Sequence, residues 1–542
     1  MQTSSKRRWI GLVFISLAVS LIIVDSTIVN VAIPAIVDDL GVTSTQVQWI
    51  QESYTLVFAA LLLVFGVLAD RFGRRRLLLL GVIIFASASV LAALSQSGDL
   101  LIGSRILQGI GGAMVLPTTL SIINSTFRGK ERALAFAIWG STIGGMSAVG
   151  PLLGGWLTTY FSWRWAFGIN IPLGIIIVIG VLLSVDESSD SSSKKAVDFA
   201  GAALSIVTCA ALVFGLIEGR NYGWLLVNNP FSVGGWTWPF EVSPVPLAFV
   251  ISVLAGVIFV KNGRARARRG AATLLDFSLF SIPSFRNGNI AAMIVSMGEF
   301  GIILSLPIWL QNVLGYSALQ TGLLLLPLAA GSFAASGFAG AFGNKIKPVT
   351  IVRVGIGLEI IGVALLGVMI SSNTPWGAFV PFLFIYGLGV GLATAQLTGV
   401  VLKDISPLKS GQASGTQSTA RQVGSALGIA ILGTVLFSTA TVQLDNSLKD
   451  QNLPQAVRDK TVTAVVESSG AYISVLQKDP ANQAVAEAAR EAFSNGTKYS
   501  AYFAAGFLTL GLIATASLGG GGPRRDPARG MDDDVEEPAT PA

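Results

Sequence analysis

The chain has 542 residues, of which 52% are hydrophobic and only 12% charged, with a mean hydropathy of +0.67. A soluble globular protein is about a quarter charged, and the net charge of +6 falls in short clusters at helix ends rather than on one face, which excludes a nucleic-acid partner in favour of topogenic patterning. One cysteine, Cys209, and no histidine exclude a disulfide framework, the usual zinc sites and a histidine-based triad.

Runs of about 20 apolar residues recur, each long enough as a helix to cross a hydrocarbon core of roughly 30 Å. The alternating segments of about 10 residues that build a β-barrel are missing. The expected fold class is therefore an all-α polytopic membrane protein. Spans are placed near 9–37, 47–69, 77–96, 99–124, 133–160 and 165–185, then 199–217 and 245–261. Six more lie near 287–313, 320–343, 348–371, 376–402, 411–440 and 498–518, which makes about fourteen. The first run carries Asp25 and leads into further spans, so it reads as a span rather than a cleaved signal.

Alternate connections hold the Lys and Arg clusters, from Lys6/Arg7/Arg8 through Arg71/Arg74/Arg75/Arg76 to Arg524/Arg525, while VDDLGVTSTQ, SQSGD, GYSALQ and SSNTP have none. An even number of spans with both termini in the cytoplasm fits this pattern. The expected units are a six-helix bundle over 1–185, a linker with two extra helices over 186–262, and a second six-helix bundle over 263–518. Within the last, 441–497 forms an external insertion that reads as a hairpin of two short helices, with AVAEAAREAF in one of them. The tail 519–542 has little apolar surface to bury and reads as disordered.

The turn GVLADRFGRRR (Gly66–Arg76) is dense in charge between two apolar runs, so it marks a membrane face. Gly66 and Gly73 allow close helix approach, and Asp70 sits inside a basic cluster with Arg71 and Arg74. A fainter copy, GAFGNKIK, repeats the Gly66–Asp70–Arg71 spacing as Gly340–Asn344–Lys345. The offset is 344 − 70 = 274. Applied to the intramembrane acid Asp25 it gives 25 + 274 = 299, and Glu299 is an acid too. A proline follows each, Pro34 and Pro307. Two related halves are therefore expected.

Asp25 lies mid-span, where a carboxylate costs several kcal/mol unless it faces the interior, is paired or is protonated. Arg105, in LIGSRILQGIGGA, meets the same argument and cannot neutralise itself. An Arg beside Asp25 favours the carboxylate and burial favours the acid, a balance suited to loading and releasing a proton; the plainer alternative is a fixed ion pair. Glu299 and Glu359 are further candidates for proton coupling, with a packing contact as the alternative for Glu359. Glu52 and Tyr54, near the external end of span 2, are candidates for a vestibule wall or for a proton or substrate role. In span 5, Gly150, Gly154 and Gly155 thin the helix and Pro151 bends it. Ordinary small-residue packing explains this, and so does a surface on which two halves rock.

GVLADRFGRRR, RILQGIGG, AVGPLLGG and DSTIVNVAIP resemble the signature motifs of the major facilitator superfamily. The fourteen-span layout, with WRWAFGINIPLG opening span 6, is similar to its drug:proton antiporters with two extra helices, the QacA/EmrB-like group. The resemblance implies that Asp25 takes part in proton coupling and that Arg105 is the buried arginine of the span-4 motif. It implies that Asp70, Arg71 and Arg74 form a cytoplasmic latch, and that Gly150 and Pro151 belong to an antiporter signature typical of exporters. Glu299 lies outside the shared motifs and rests on the repeat.

The expectation is a non-enzymatic, proton-coupled exporter of amphipathic or cationic small molecules in the bacterial cytoplasmic membrane, working by alternating access as a monomer among membrane lipid. Substrate would bind between the bundles among Trp139, Phe300, Trp309, Gln311 and Tyr386. No cofactor or metal is expected, and no GxxxxGK[ST] sequence supports ATP as the energy source. The alternatives are a dedicated exporter of one metabolite, lipid or self-made antibiotic, and a non-transporting receptor or scaffold.

Overall fold

The computed structural model describes residues 5–42, 44–189, 198–233, 236–342, 346–451 and 453–518. Asn344 and Lys345 of the fainter turn, most of the SSDSSSKK linker and the tail from 519 lie outside these residues. The first group of helices is α1 (Ser5–Leu40), α2 (Ser44–Phe72), α3 (Arg74–Ala93), α4 (Gly98–Thr126), α5 (Gly129–Tyr160), the short α6 (Trp165–Gly168) and α7 (Asn170–Ser184). Next come α8 (Phe199–Tyr222) and α9 (Pro244–Arg268), joined through a hairpin of β1 (Ser232–Val233) and β2 (Trp236–Thr237). The last group is α10 (Pro283–Ile308), α11 (Ala318–Phe342), α12 (Pro348–Met369), α13 (Val380–Leu402), α14 (Ser410–Asp450), α15 (Gln455–Glu467), α16 (Ile473–Leu476) and α17 (Gln483–Ala514).

Local chemistry sets the helix ends. Ser97 caps α4, Asp198 caps α8 and Ser243 caps α9, each through a side-chain oxygen that accepts a free backbone N–H. Proline opens α9, α10 and α12, where its missing N–H costs nothing. Between α2 and α3, Gly73 has φ +106°, and a Cβ there would run into the Glu187 carboxylate, so glycine is required.

Among the described residues twelve helices are long and apolar enough to span a membrane, and α5 makes a thirteenth if its two parts count as one span. The difference from about fourteen lies in α5 and α11. Helix α5 bends by 40° between Met146 and Val149, where Pro151 has no N–H to give the Ser147 carbonyl. Helix α11 presents only a shorter apolar stretch, Leu319–Ala335.

The same neighbours recur in both groups. Helix α1 packs on α5 and α7 as α10 packs on α14 and α17; α2 and α3 pack on α4 as α11 and α12 pack on α13. Two six-helix bundles result. They meet across α5 with α11 and α13, and across α14 with α2 and α4. Helices α8 and α9 pair with each other, and α8 also touches both α2 and α14, so the added pair lies along one seam between the bundles.

The insertion differs from a separate two-helix hairpin. Helix α14 continues unbroken to Asp450, and the AVAEAAREAF segment belongs to the first turns of α17. Among the described residues α15, α16 and a 3-10 turn at Pro480–Asn482 stand between them. Asn312 donates to the Ser469 carbonyl in the turn between α15 and α16, and Arg490 at the start of α17 donates to the carbonyls of Val313 and Ser372.

Candidate functional site

Three polar sites lie within or between the bundles. The first is inside the N-terminal bundle. The Asp25 carboxylate on α1 is fully buried and accepts from Arg105 Nη1 and Gln108 Nε2 on α4, and from Asn170 Nδ2 on α7 at 2.7 Å. Ser89 on α3 accepts from Gln108 and Asn170. Arg105 also donates to the Ile50 carbonyl and lies 4.3 Å from the Tyr54 ring centroid. Five helices thus converge on one ion pair whose hydrogen-bonding capacity is largely filled, which is how such a pair is tolerated away from water.

The second site opens on a cleft of about 1030 Å³, its mouth included, between the bundles. Its walls include Thr27, Ile143, Phe300, Leu306, Leu325 and Val390, and it runs from mid-membrane towards the helix ends opposite the Arg74–Arg76 turn, where Gln311 and Thr321 lie. Glu299 on α10 and Arg421 on α14 form the ion pair at its inner end, 3.2 Å apart. Thr394 on α13 donates to Glu299 Oε1 at 2.8 Å, and the Tyr386 hydroxyl donates to the Glu299 carbonyl. The Arg421 side chain keeps 14% exposure, against 2% for Arg105, so one pair meets the cleft and the other does not.

Glu359 on α12 lies behind this pair. It is fully buried, and neither carboxylate oxygen has a hydrogen-bond partner. It packs against α13 so closely that a Cβ on Gly389 would come within 2.6 Å of Glu359 Cγ.

The third site joins the two bundles on the face that carries the basic turn. Asp70 accepts from Arg74, and its two oxygens also accept the backbone N–H groups of Gly411 and Gln412, at 2.8 and 3.0 Å. These amides open α14, so a carboxylate of one bundle sits on a helix N-terminus of the other. A Cβ on Gly66 would meet the Gly411 carbonyl at 2.5 Å, which is why glycine stands at this crossing. Asn124 donates to Ser410 and Arg132 to the Lys403 carbonyl beside it. Glu187 accepts the N–H groups of Arg75 and Arg76, tying the turn to the segment after α7. Arg71 lies over the Phe72 ring.

Several expected substrate contacts lie elsewhere. Phe300, Gln311 and Tyr386 line the cleft. Tyr54 belongs to the Asp25 site, stacked near Phe58 and Phe85. Trp139 donates to Thr119, and Trp309 donates to Ser494 and meets Phe379 edge-on; both are almost fully buried. Glu52 is within electrostatic reach of Tyr222 at the end of α8, beside the buried Glu218, rather than at the cleft. In α5, Pro151 lines the cleft, but Gly150 and Gly154 close on Thr27 and Ile28 of α1, inside their own bundle. The smooth surface between bundles is made by Gly144 and Gly145, which face Ser332 and Phe333 of α11. Gly155 is buried.

Residues not singled out from the sequence are Arg421, Thr394, Gln108, Asn170, Ser89 and the amides of Gly411 and Gln412. Arg421 carried a usable signal, a guanidinium mid-span. The neutral partners carried none.

The Major Facilitator Superfamily model matches residues 15–429. The chain is 32% identical to the multidrug efflux pump LfrA of Mycolicibacterium smegmatis over 95% of this chain and 96% of that one. It is 31% identical to the puromycin resistance protein pur8 of Streptomyces alboniger, over 88% and 90%. The crystal structure of the human organic anion transporter MFSD10 superposes with a TM-score of 0.58 at 14% identity, covering 95% of this chain and all of that one. Four signature motifs, two six-helix bundles about a cleft and a family match over most of its length agree: this chain belongs to the Major Facilitator Superfamily.

Proposed function

We propose that this protein exports amphipathic, cationic small molecules across the bacterial cytoplasmic membrane in exchange for protons. The observation that carries this reading is the Glu299–Arg421 pair at the inner end of an otherwise largely apolar cleft between the bundles. Apolar walls suit a lipophilic body, and a single carboxylate suits its charge. The names of the relatives, a multidrug efflux pump and an antibiotic resistance protein, support the same direction of transport.

The basic turn and both termini face the cytoplasm in this reading, by the excess of Lys and Arg on that side. The latch of Asp70 on α14 then closes the cytoplasmic face while the cleft opens outwards. A proton taken up by Glu299 from outside removes the carboxylate that holds the cation, so cation and proton compete for one group. Each ligand favours the state to which it binds better and shifts the populations accordingly. Each charge moved is worth roughly 2.3 kcal/mol per 100 mV, an adequate drive. Asp25, bonded on several sides, holds α1, α4 and α7 in register.

The test uses the purified chain in liposomes with an imposed pH gradient, following ethidium for the parent and Glu299→Gln. Gradient-driven movement in the parent, lost in the variant, is the expected result. Movement that ignores the gradient in both would leave a facilitator. Mutual competition among structurally unrelated cations separates a multidrug pump from a dedicated exporter of one metabolite or antibiotic.

A further inference from the structure

Glu359 has no role in cation contact. It does not line the cleft, it is fully buried, and neither oxygen has a hydrogen-bond donor. Every other carboxylate at these polar sites is bonded: Asp25 by three side chains, Glu299 by Thr394 and Arg421, Asp70 by Arg74 and two amides. An ionised carboxylate with no donor in a dry interior is the costliest group a span can hold, and a proton removes that cost.

The surroundings show where the proton would go. Glu359 presses on α13 at Gly389. One turn before Gly389 on that helix is Tyr386, and little more than one turn after it is Thr394, the two α13 residues that bond Glu299. Glu359 is also within electrostatic reach of both Glu299 and Arg421. The charged and titratable groups facing it are therefore Glu299 from α10, Arg421 from α14 and Tyr386 from α13. From α17 the nearest such contact on α12 is Tyr502 against Gly367, two turns away. Two acids thus share one arginine. With both ionised the trio carries a net negative charge in a low-dielectric site; with one proton between them it is neutral.

We propose that Glu359 is a second proton-carrying residue, a dry store that exchanges its proton with Glu299, so that each cycle moves a second proton without a second acid touching the substrate. On the outer side a proton taken up by Glu299 passes to Glu359, and a second proton then loads Glu299 in its place. On the inner side Glu299 gives up its proton, Glu359 passes its own out through Glu299, and Arg421 and the incoming cation balance the two carboxylates. No bond other than O–H is made or broken, and the second proton comes from the same gradient.

The transport arm of this proposal rests on the exporter reading; a spectroscopic arm does not. A monovalent cation exchanged for one proton moves no net charge, whereas exchange for a second proton as well moves one. In liposomes the parent should therefore respond to membrane potential as well as to the pH gradient. A potential negative on the side that ethidium leaves should raise its steady-state ratio roughly tenfold for each ~60 mV. Glu359→Gln should keep movement driven by the pH gradient and lose the voltage response, and Glu359→Asp should restore it. A Glu359→Gln protein as voltage-sensitive as the parent, or a parent with no voltage response, overturns the proposal. Independently, the infrared spectrum of the purified parent at neutral pH without substrate should contain the carbonyl stretch of an unbonded carboxylic acid, missing from Glu359→Gln. If the parent lacks that band, Glu359 is ionised and the proposal fails, whatever ethidium does. If the band is present and no proton gradient moves ethidium, the exporter reading fails while the proton on Glu359 stands.

Discussion

Asp25 and Glu299 occupy the first helix of their respective bundles, each is buried, and each is paired with an arginine. Their surroundings are nevertheless unlike. Asp25 is enclosed by α1, α4 and α7, with donors at both oxygens and the Tyr54 ring over its arginine. Glu299 has one threonine, one partly exposed arginine, and a cleft in front of it. The cleft reaches the second site and not the first. Repetition of a fold does not repeat the surroundings of its acids; what differs is how completely each acid is bonded.

The comparison predicts unequal costs for losing each arginine. Arg105→Leu leaves Asp25 charged among donors meant for a pair, and should cost about 3–5 kcal/mol of stability. Arg421→Leu should cost less, about 1–3 kcal/mol, because water or a proton from the cleft can reach Glu299. Unfolding of the purified variants in detergent measures both. Equal losses would mean that the cleft does not relieve Glu299, and the contrast between the halves would collapse.

The two arginines also show what could be read from the chain. A lone guanidinium mid-span is a signal in either case, but Arg421 sits in GTQSTARQVGS, whose run of Gln, Ser and Thr makes a charge look less out of place than it does in LIGSRILQGIGGA. Motifs placed Asp25, Arg105 and the Gly66–Arg76 turn well, because charge in an apolar run needs no partner to be noticed. Gln108, Asn170, Ser89 and Thr394 are ordinary neutral residues, brought to their acids by contacts across 80 or more positions in most cases, except where Gln108 and Ser89 meet over 19. The positions of Trp139 and Trp309, which do not line the cleft, were hidden for another reason. Helices such as those holding Trp139 and Trp309 are apolar on nearly every side, so periodicity does not separate a face towards the cleft from one towards a neighbouring helix.

A smaller effect concerns the proposed latch, a polar site that joins the two halves instead of serving one. Asp70→Asn keeps the shape but removes the charge that meets the first amides of α14, and should weaken closure by about 1–2 kcal/mol, a factor of roughly 5–30 in the open-to-closed ratio. Asn124→Cys with Ser410→Cys reports closure, since these side chains are in hydrogen-bond contact across the seam; the native Cys209 is buried in α8. Disulfide formation should slow by that factor when Asp70→Asn is added. An unchanged rate would show that the glycine crossing at Gly66 and Gly411 closes the face without the charge.

The smallest effect lies outside the spans, where an acid meets water and pairing should matter least. Asp276, between α9 and α10, is pulled upward in pKa by partial burial, but hydrogen bonds from Lys409 and Ser278 outweigh this and hold its carboxyl below the usual range. Its folded pKa is therefore below its unfolded one. The stability it contributes is complete above the unfolded pKa of about 3.9 and is lost as pH falls through the lower folded value. Both side chains are a third or more exposed, so solvent screening limits the contribution to about 1 kcal/mol or less. Asp276→Asn should lower stability slightly at neutral pH and flatten its dependence below about pH 4. If the variant instead matched Arg421→Leu in cost, connection to α14 through Lys409, rather than burial, would be what makes an acid matter in this protein, and the contrast between Asp25 and Glu299 would have to be drawn again on those grounds.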